Sequence, residues 1–297
     1  MTSLPKTSHA KTSHSKTSHS KTSHSKTSLG TSIAWPLRAW LLVEVLFGVA
    51  AVLAIGLSPA DTKTNFAWPI QPVVMAAVLG AFYITSAPLF LLPMLAKRWE
   101  MIRVMILPTA LFSTVQLVAT FLHWDKFSVG SFPFYVWFAS YLLPPPIFVS
   151  AYLWQQRKAA SPSGVAEDPL PFWLHGLLLI CGGILTLVAI LVFIYPNLLI
   201  PVFPWKLTPL TARSLCGWLI AVGTIMLTMS RENDQTRARL ATPMFILILP
   251  TLLLQMARFA NEVNWRTPVL WLGLLLFAVV GFCGLYLAKG SWRDALH

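Results

Sequence analysis

Charged residues are scarce in this sequence. Asp, Glu, Lys and Arg make up 11% of its 297 residues, less than half of the roughly 25% usual in a soluble domain. Acids are rarest, 10 against 22 basic residues, and too dispersed to offer a paired-carboxylate site. Cysteine is nearly missing. Cys181, Cys216 and Cys283 lie in separate apolar stretches without CxxC or CxxH spacing, which argues against a disulfide framework or a zinc site. Outside the N-terminal region the only histidines are His123, His175 and His297, scattered over different regions. No HExxH, GxSxG, Walker A or dinucleotide-binding glycine motif occurs, so no metal, cofactor or catalytic residue is expected and the reading leans away from an enzyme. The net charge of +12 is not accompanied by a basic helix with interleaved aromatics, so nucleic acid is not an expected partner.

What fills the chain instead is hydrophobic sequence, 56% of all residues. Beyond Pro36 apolar runs alternate with short polar loops, and a helix needs about 20 apolar residues to cross a bilayer. That rule places spans at 37–57, 73–96, 102–123, 135–154, 174–195, 214–230, 240–258 and 269–288. Backbone polar groups in hydrocarbon must be satisfied within the segment, so runs of this length are helices. The expected fold is an all-α membrane protein of eight transmembrane helices.

Residues 1–34 form a different kind of segment, in which KTSH recurs every five residues and little else but Ser and Thr is present. No apolar face exists to bury, so a disordered tail is expected. Its lysines could be drawn to an anionic leaflet. Its four histidines, His9, His14, His19 and His24, are suitable metal ligands that the loose spacing does not preorganise.

Orientation follows from the basic residues. Placing both termini on the cytoplasmic side of a plasma membrane puts sixteen of the 22 Lys and Arg inside and six outside, in accord with the positive-inside rule.

The first four spans recur in the last four. Pro59, Phe66, Trp68, Pro72 and Gly80 correspond to Pro196, Phe203, Trp205, Pro209 and Gly217, each displaced by 137. Ile106-Leu107-Pro108-Thr109 corresponds to Ile248-Leu249-Pro250-Thr251, and Trp137, Phe148 and Tyr152 to Trp271, Phe282 and Tyr286. The expected organisation is a four-span repeat at 35–158, a cytoplasmic linker at 159–172 and a second repeat at 173–297. An even number of spans per copy makes the repeats parallel, related by an axis along the membrane normal. The block Pro204-Trp205-Lys206-Leu207-Thr208-Pro209-Leu210-Thr211-Ala212-Arg213 with Gly217-Trp218 resembles a pattern of uncharacterised bacterial multi-pass membrane proteins. Phe66-Ala67-Trp68-Pro69-Ile70-Gln71-Pro72 is similar to its first-half counterpart, with Ala76 in place of Arg213. The resemblance covers about a tenth of the chain and implies a bacterial plasma-membrane protein with no activity attached.

Three features could carry function. Glu44 lies some seven residues into the first span, roughly 10 Å deep at 1.5 Å per residue, where an ionisable group is a functional candidate. The alternative is an acid that is neutral or paired with Arg38. Pro144, Pro145 and Pro146 interrupt the fourth span and must break or bend it. Arg213, Arg258 and Glu262 fall at the outer ends of spans six and seven. As neighbours they would form one polar cluster for a carboxylate, phosphate or headgroup; otherwise the arginines simply snorkel to the interface. The favoured expectation is a bundle that binds or moves a small ligand, with a cavity between the repeats lined by Glu44 and the proline break. A scaffold or sensor binding another membrane protein is the alternative, and a lipid-modifying membrane enzyme the third.

Overall fold

The computed structural model describes residues 1–2 and 30–296. Most of the expected N-terminal tail, with its histidines and lysines, lies outside the described residues. Those described are helices and connections, with no strand among them. Eight helices are long and apolar enough to cross a membrane: α1 Trp35–Leu57, α2 Val73–Leu95, α3 Trp99–Leu122, α4 Phe132–Gln156, α5 Phe172–Ile194, α6 Pro209–Glu232, α7 Gln235–Arg258 and α8 Pro268–Leu287. This is the architecture of a multi-pass membrane protein.

The expected boundaries hold closely, with the largest departures at the starts of α6 and α7. Both helices begin in polar sequence that a hydropathy rule discards. Thr208 caps α6 by accepting from Thr211 N, while the Thr211 hydroxyl accepts from Thr208 N, a reciprocal arrangement that satisfies two end donors. Asp234 caps the first turn of α7 by accepting from Arg237 N. Proline occupies the first turn of α1, α4, α6 and α8, where its missing N–H costs nothing.

Burial divides the helices into two sets. In α2 and α6 the most apolar window is 72% and 78% buried, against 28% in α1 and 22% in α4. The inner set α2, α3, α6 and α7 packs as two close pairs, α2 on α7 and α3 on α6. Around it, α1 lies on α2, α4 on α3, α5 on α6 and α8 on α7. The outer helices carry the exposed Leu46, Tyr135, Leu187 and Leu272, as suits a surface solvated by lipid. One of these contacts is especially tight. A Cβ on Gly182 of α5 would stand 2.8 Å from Gly223 O of α6, so these backbones meet because neither residue has a side chain.

Several helices are not regular. α1 ends in a π-helical turn, Val52–Leu57. α4 is divided at Leu143 into Phe132–Leu142 and Pro144–Gln156. The three prolines bend α4 without unwinding it, because Leu143 keeps helical angles of φ −80 and ψ −40. Pro144, Pro145 and Pro146 nonetheless leave the carbonyls of Ser140, Tyr141 and Leu142 without their usual donors four residues on.

The face at which α1 begins is held by a buried ionic cluster. Arg103 of α3 donates from Nε to Glu232 Oε1 at 2.8 Å and from Nη2 to Oε2 at 2.6 Å. Arg237 of α7 donates to the same carboxylate at 3.0 Å. Arg103 also donates to the carbonyls of Ser161 and Pro162, which fastens the segment between α4 and α5. Glu100, fully buried, accepts from Thr31 N and Ala160 N. Residues 30–34 therefore do not belong to a solvated tail, as the sequence suggested. Ile33 is buried and Trp99 N donates to Thr31 O, because a buried carboxylate with backbone partners offers this stretch a place to dock. Removing one charge of a buried pair leaves the other uncompensated, at a cost of about 3–5 kcal/mol. Glu232→Gln is expected to lower the thermal midpoint of detergent-purified protein markedly, while replacement of the exposed Lys63 leaves it unchanged; equal midpoints for both would refute this role of Glu232.

Candidate functional site

A cavity of about 160 Å³ lies within the first four helices, reached by Trp218 of α6. Each wall is one stripe of a helix. α1 contributes Glu44, Phe47, Gly48 and Ala51, and α3 contributes Thr109, Phe112 and Ser113, spacings that put these side chains on a single face. α2 supplies Tyr83, Ser86 and Phe90, and α4 supplies Trp137, Ser140 and Tyr141. Glu44 is nine residues beyond Trp35, the first residue of α1, about 13 Å along a helix at 1.5 Å per residue.

Most polar groups of the cavity are already engaged. Ser86 donates to Tyr83 O, Thr109 to Met105 O, Ser113 to Thr109 O and Ser140 to Trp137 O. The hydroxyls of Tyr83 and Tyr141 bond to one another. Glu44 differs. Its side chain is buried and its Oε1 has no hydrogen-bond partner. The Trp40 indole one turn earlier is the adjacent donor, yet Trp40 Nε1 also lacks a partner in bonding geometry. Arg38, the expected alternative partner, donates instead to the carbonyls of Met94 and Ala96 at the end of α2. Asn65, also in the lining, gives its amide N–H to Ala54 O and leaves Oδ1 buried and unpaired. Unpaired buried acceptors of this kind are uncommon and call for an explanation.

The position of the cavity corrects one expectation. It does not lie between the halves of the chain but inside the first, with a single residue from the second. Pro144, Pro145 and Pro146 do not line it, although Ser140 and Tyr141 immediately before them do.

The expected cluster of Arg213, Arg258 and Glu262 is not formed. α6 packs on α3 and α5 rather than on α7, so the ends of α6 and α7 are apart. Arg258 donates to Gly56 O at 3.0 Å and to Leu57 O at 3.3 Å, closing the carbonyl end of α1. Glu262 accepts from Val74 N at 2.7 Å and caps the start of α2. Arg213 donates to Phe193 O at 2.9 Å at the end of α5 and to His123 Nε2 at 2.7 Å. All three serve helix ends, where carbonyls favour cations and N–H groups favour anions. Nothing in the sequence signalled which helix each would cap, because every cap crosses to a distant segment.

Among the described residues no group of three or more His, Cys, Asp or Glu could hold a metal ion. The chain matches no protein-family model, no curated protein and no solved structure.

The His123–Arg213 contact is sensitive to pH. Burial first, and the neighbouring guanidinium second, hold His123 below its ordinary 6.5, since a neutral ring is needed to accept from arginine. A base whose folded pKa is depressed contributes stability above its unfolded value and loses it as pH falls through the folded one. Acidifying from about pH 7 to about pH 5 is expected to lower the thermal midpoint, and to lower it less in His123→Gln. An equal fall in both proteins would show that His123 does not contribute.

Proposed function

We propose that this protein binds and moves a small ligand within the membrane, through the cavity that contains Glu44. The observation that carries this reading is one buried carboxyl with an unpaired oxygen and no cation beside it, set in a void walled by four helices. An ionisable group in hydrocarbon is costly and is a functional site by default. A carboxyl required only for folding would have a cation built beside it, as Glu232 has Arg103.

The bundle is read as two parallel four-span repeats, and the helix pairings support it. Advancing each label by four carries α1 on α2 to α5 on α6, and carries α2 on α7 to α6 on α3. Both sets of contacts are present. The caps agree with the same register: Gly56 and Phe193, 137 residues apart, each give their carbonyl to an arginine. Arg258 serves the first half from α7, where Ala76 replaces Arg213.

Under this register the halves differ where a ligand site requires it. Glu44 corresponds to Cys181, while Gly182 and Gly223 correspond to Val45 and Ser86. The glycines let α5 and α6 close together at this level, whereas α1 and α2 meet at Gly56 and Gly80, where a Cβ on Gly80 would stand 2.5 Å from Gly56 Cα. We further read the membrane as a bacterial plasma membrane with both termini cytoplasmic, from the distribution of basic residues and the motif resemblance.

Uptake into membrane vesicles of radiolabelled amine, amino-acid and carboxylate solutes tests the reading. The wild-type protein should give saturable uptake of one class, lost in Glu44→Gln at unchanged expression. Uptake that ignores this substitution, or no uptake of any class, would remove the proposal.

A further inference from the structure

We infer that the cavity takes a monovalent organic ammonium bearing one aromatic or short alkyl group, and that this ligand enters sideways from the bilayer between α1 and α4. The inference rests on the ligand-binding reading above and adds the chemical class and the route.

Charge comes first. Glu44 is the one acidic residue in the lining, and no Lys, Arg or His is among the others. The one carboxyl in the walls is matched by no cationic side chain in the lining. Hydrogen-bonding capacity points the same way. Glu44 Oε1 and Asn65 Oδ1 are unpaired acceptors. The serine and threonine hydroxyls spend their protons on helix carbonyls and keep lone pairs facing the void. The donors left among the lining groups are Trp218 Nε1 and the one hydroxyl proton that the Tyr83–Tyr141 pair does not use between its members. A ligand rich in N–H donors and positively charged complements this set; a carboxylate or phosphate would meet acceptors at nearly every turn.

The remaining wall is aromatic. Phe112 and Trp218 have ring centroids 4.3 Å apart, Tyr83 and Trp218 4.9 Å, and Trp137 and Tyr141 4.4 Å. Ring faces attract ammonium groups, more strongly when water is excluded. In size, the cavity of about 160 Å³ is close to the roughly 150 Å³ that accommodates benzene in another protein.

The route follows from the walls. α1 and α4 are the least buried helices, at 28% and 22%, and their lining residues Ala50 and Phe132 are exposed. On the lining face of α1 stands Gly48, where an added Cβ would meet nothing within 4 Å. A larger residue there can grow into the opening without displacing backbone.

The full-length protein in lipid nanodiscs, with tritiated 2-phenylethylamine as the probe, tests both parts. Saturable binding is expected, weakened about tenfold or more by Glu44→Gln and by Gly48→Phe. Unlabelled 2-phenylethanol and phenylacetate, of similar shape but neutral or negative, should compete about tenfold less well than the amine. If either competes as well as the amine, the ammonium assignment falls while the ligand-binding reading stands. If Gly48→Phe binds like wild type and Glu44→Gln does not, the lateral route falls. Absence of saturable amine binding overturns the whole inference, and the vesicle uptake of other solutes then decides separately whether the cavity reading survives. Thermal midpoints of both variants close to wild type distinguish loss of binding from loss of fold.

Discussion

One buried carboxylate organises the face at which the chain enters the bundle. Glu232 receives two bonds from Arg103 and one from Arg237, so the distant α3 is tied to the junction of α6 and α7 through a single group. Arg103 then reaches the connection between α4 and α5. Charges here are expensive to bury and are tolerated because nearly every donor and acceptor is matched. A hydrophobic substitute could fill the volume, but it would not dictate which helix end meets which loop. The cluster thus serves as an orientation device for a bundle whose helices, all apolar, could slide against one another at little cost.

The other ends of the helices use smaller versions of the same logic. Arg258, Glu262 and Arg213 each satisfy end groups of a helix other than their own. Hydrocarbon supplies no water to complete these termini, so the protein supplies charged side chains from neighbouring segments. Ionic groups therefore gather at the two faces. The middle of the bundle is held by shape, as where Gly182 and Gly223 bring α5 against α6. Glu44 departs from this division of labour, a charged residue type away from both faces that stabilises no helix end.

Local signals predicted local features. Apolar run length gave all eight helices, because the hydrocarbon requirement acts on contiguous sequence. Glu44 stood out for the same reason, as a single acid inside an apolar run, and Pro144 to Pro146 announced the bend in α4. Pairings between distant residues were illegible. Arg103 falls at the start of the third expected span and Glu232 just past the end of the sixth, and their 129-residue separation leaves no mark in either neighbourhood. The π-helical turn at the end of α1 was equally silent, since Val52–Leu57 reads as plain apolar helix. The cavity was expected between the halves because the repeats suggested an interface. Its placement inside the first half is set by the walls that α1 to α4 bring together, which exist only once the helices are packed.

α1 is gripped at its two ends, by Arg38 reaching to α2 and by Arg258 reaching from α7. Between these clasps, its inward stripe at Phe47, Gly48 and Ala51 borders empty space rather than another helix. Substitutions along that stripe would leave the inner four helices and both clasps untouched. Selectivity in such a molecule can drift under mutation independently of folding, so descendants of this chain could exchange one small guest for another while keeping an unaltered frame.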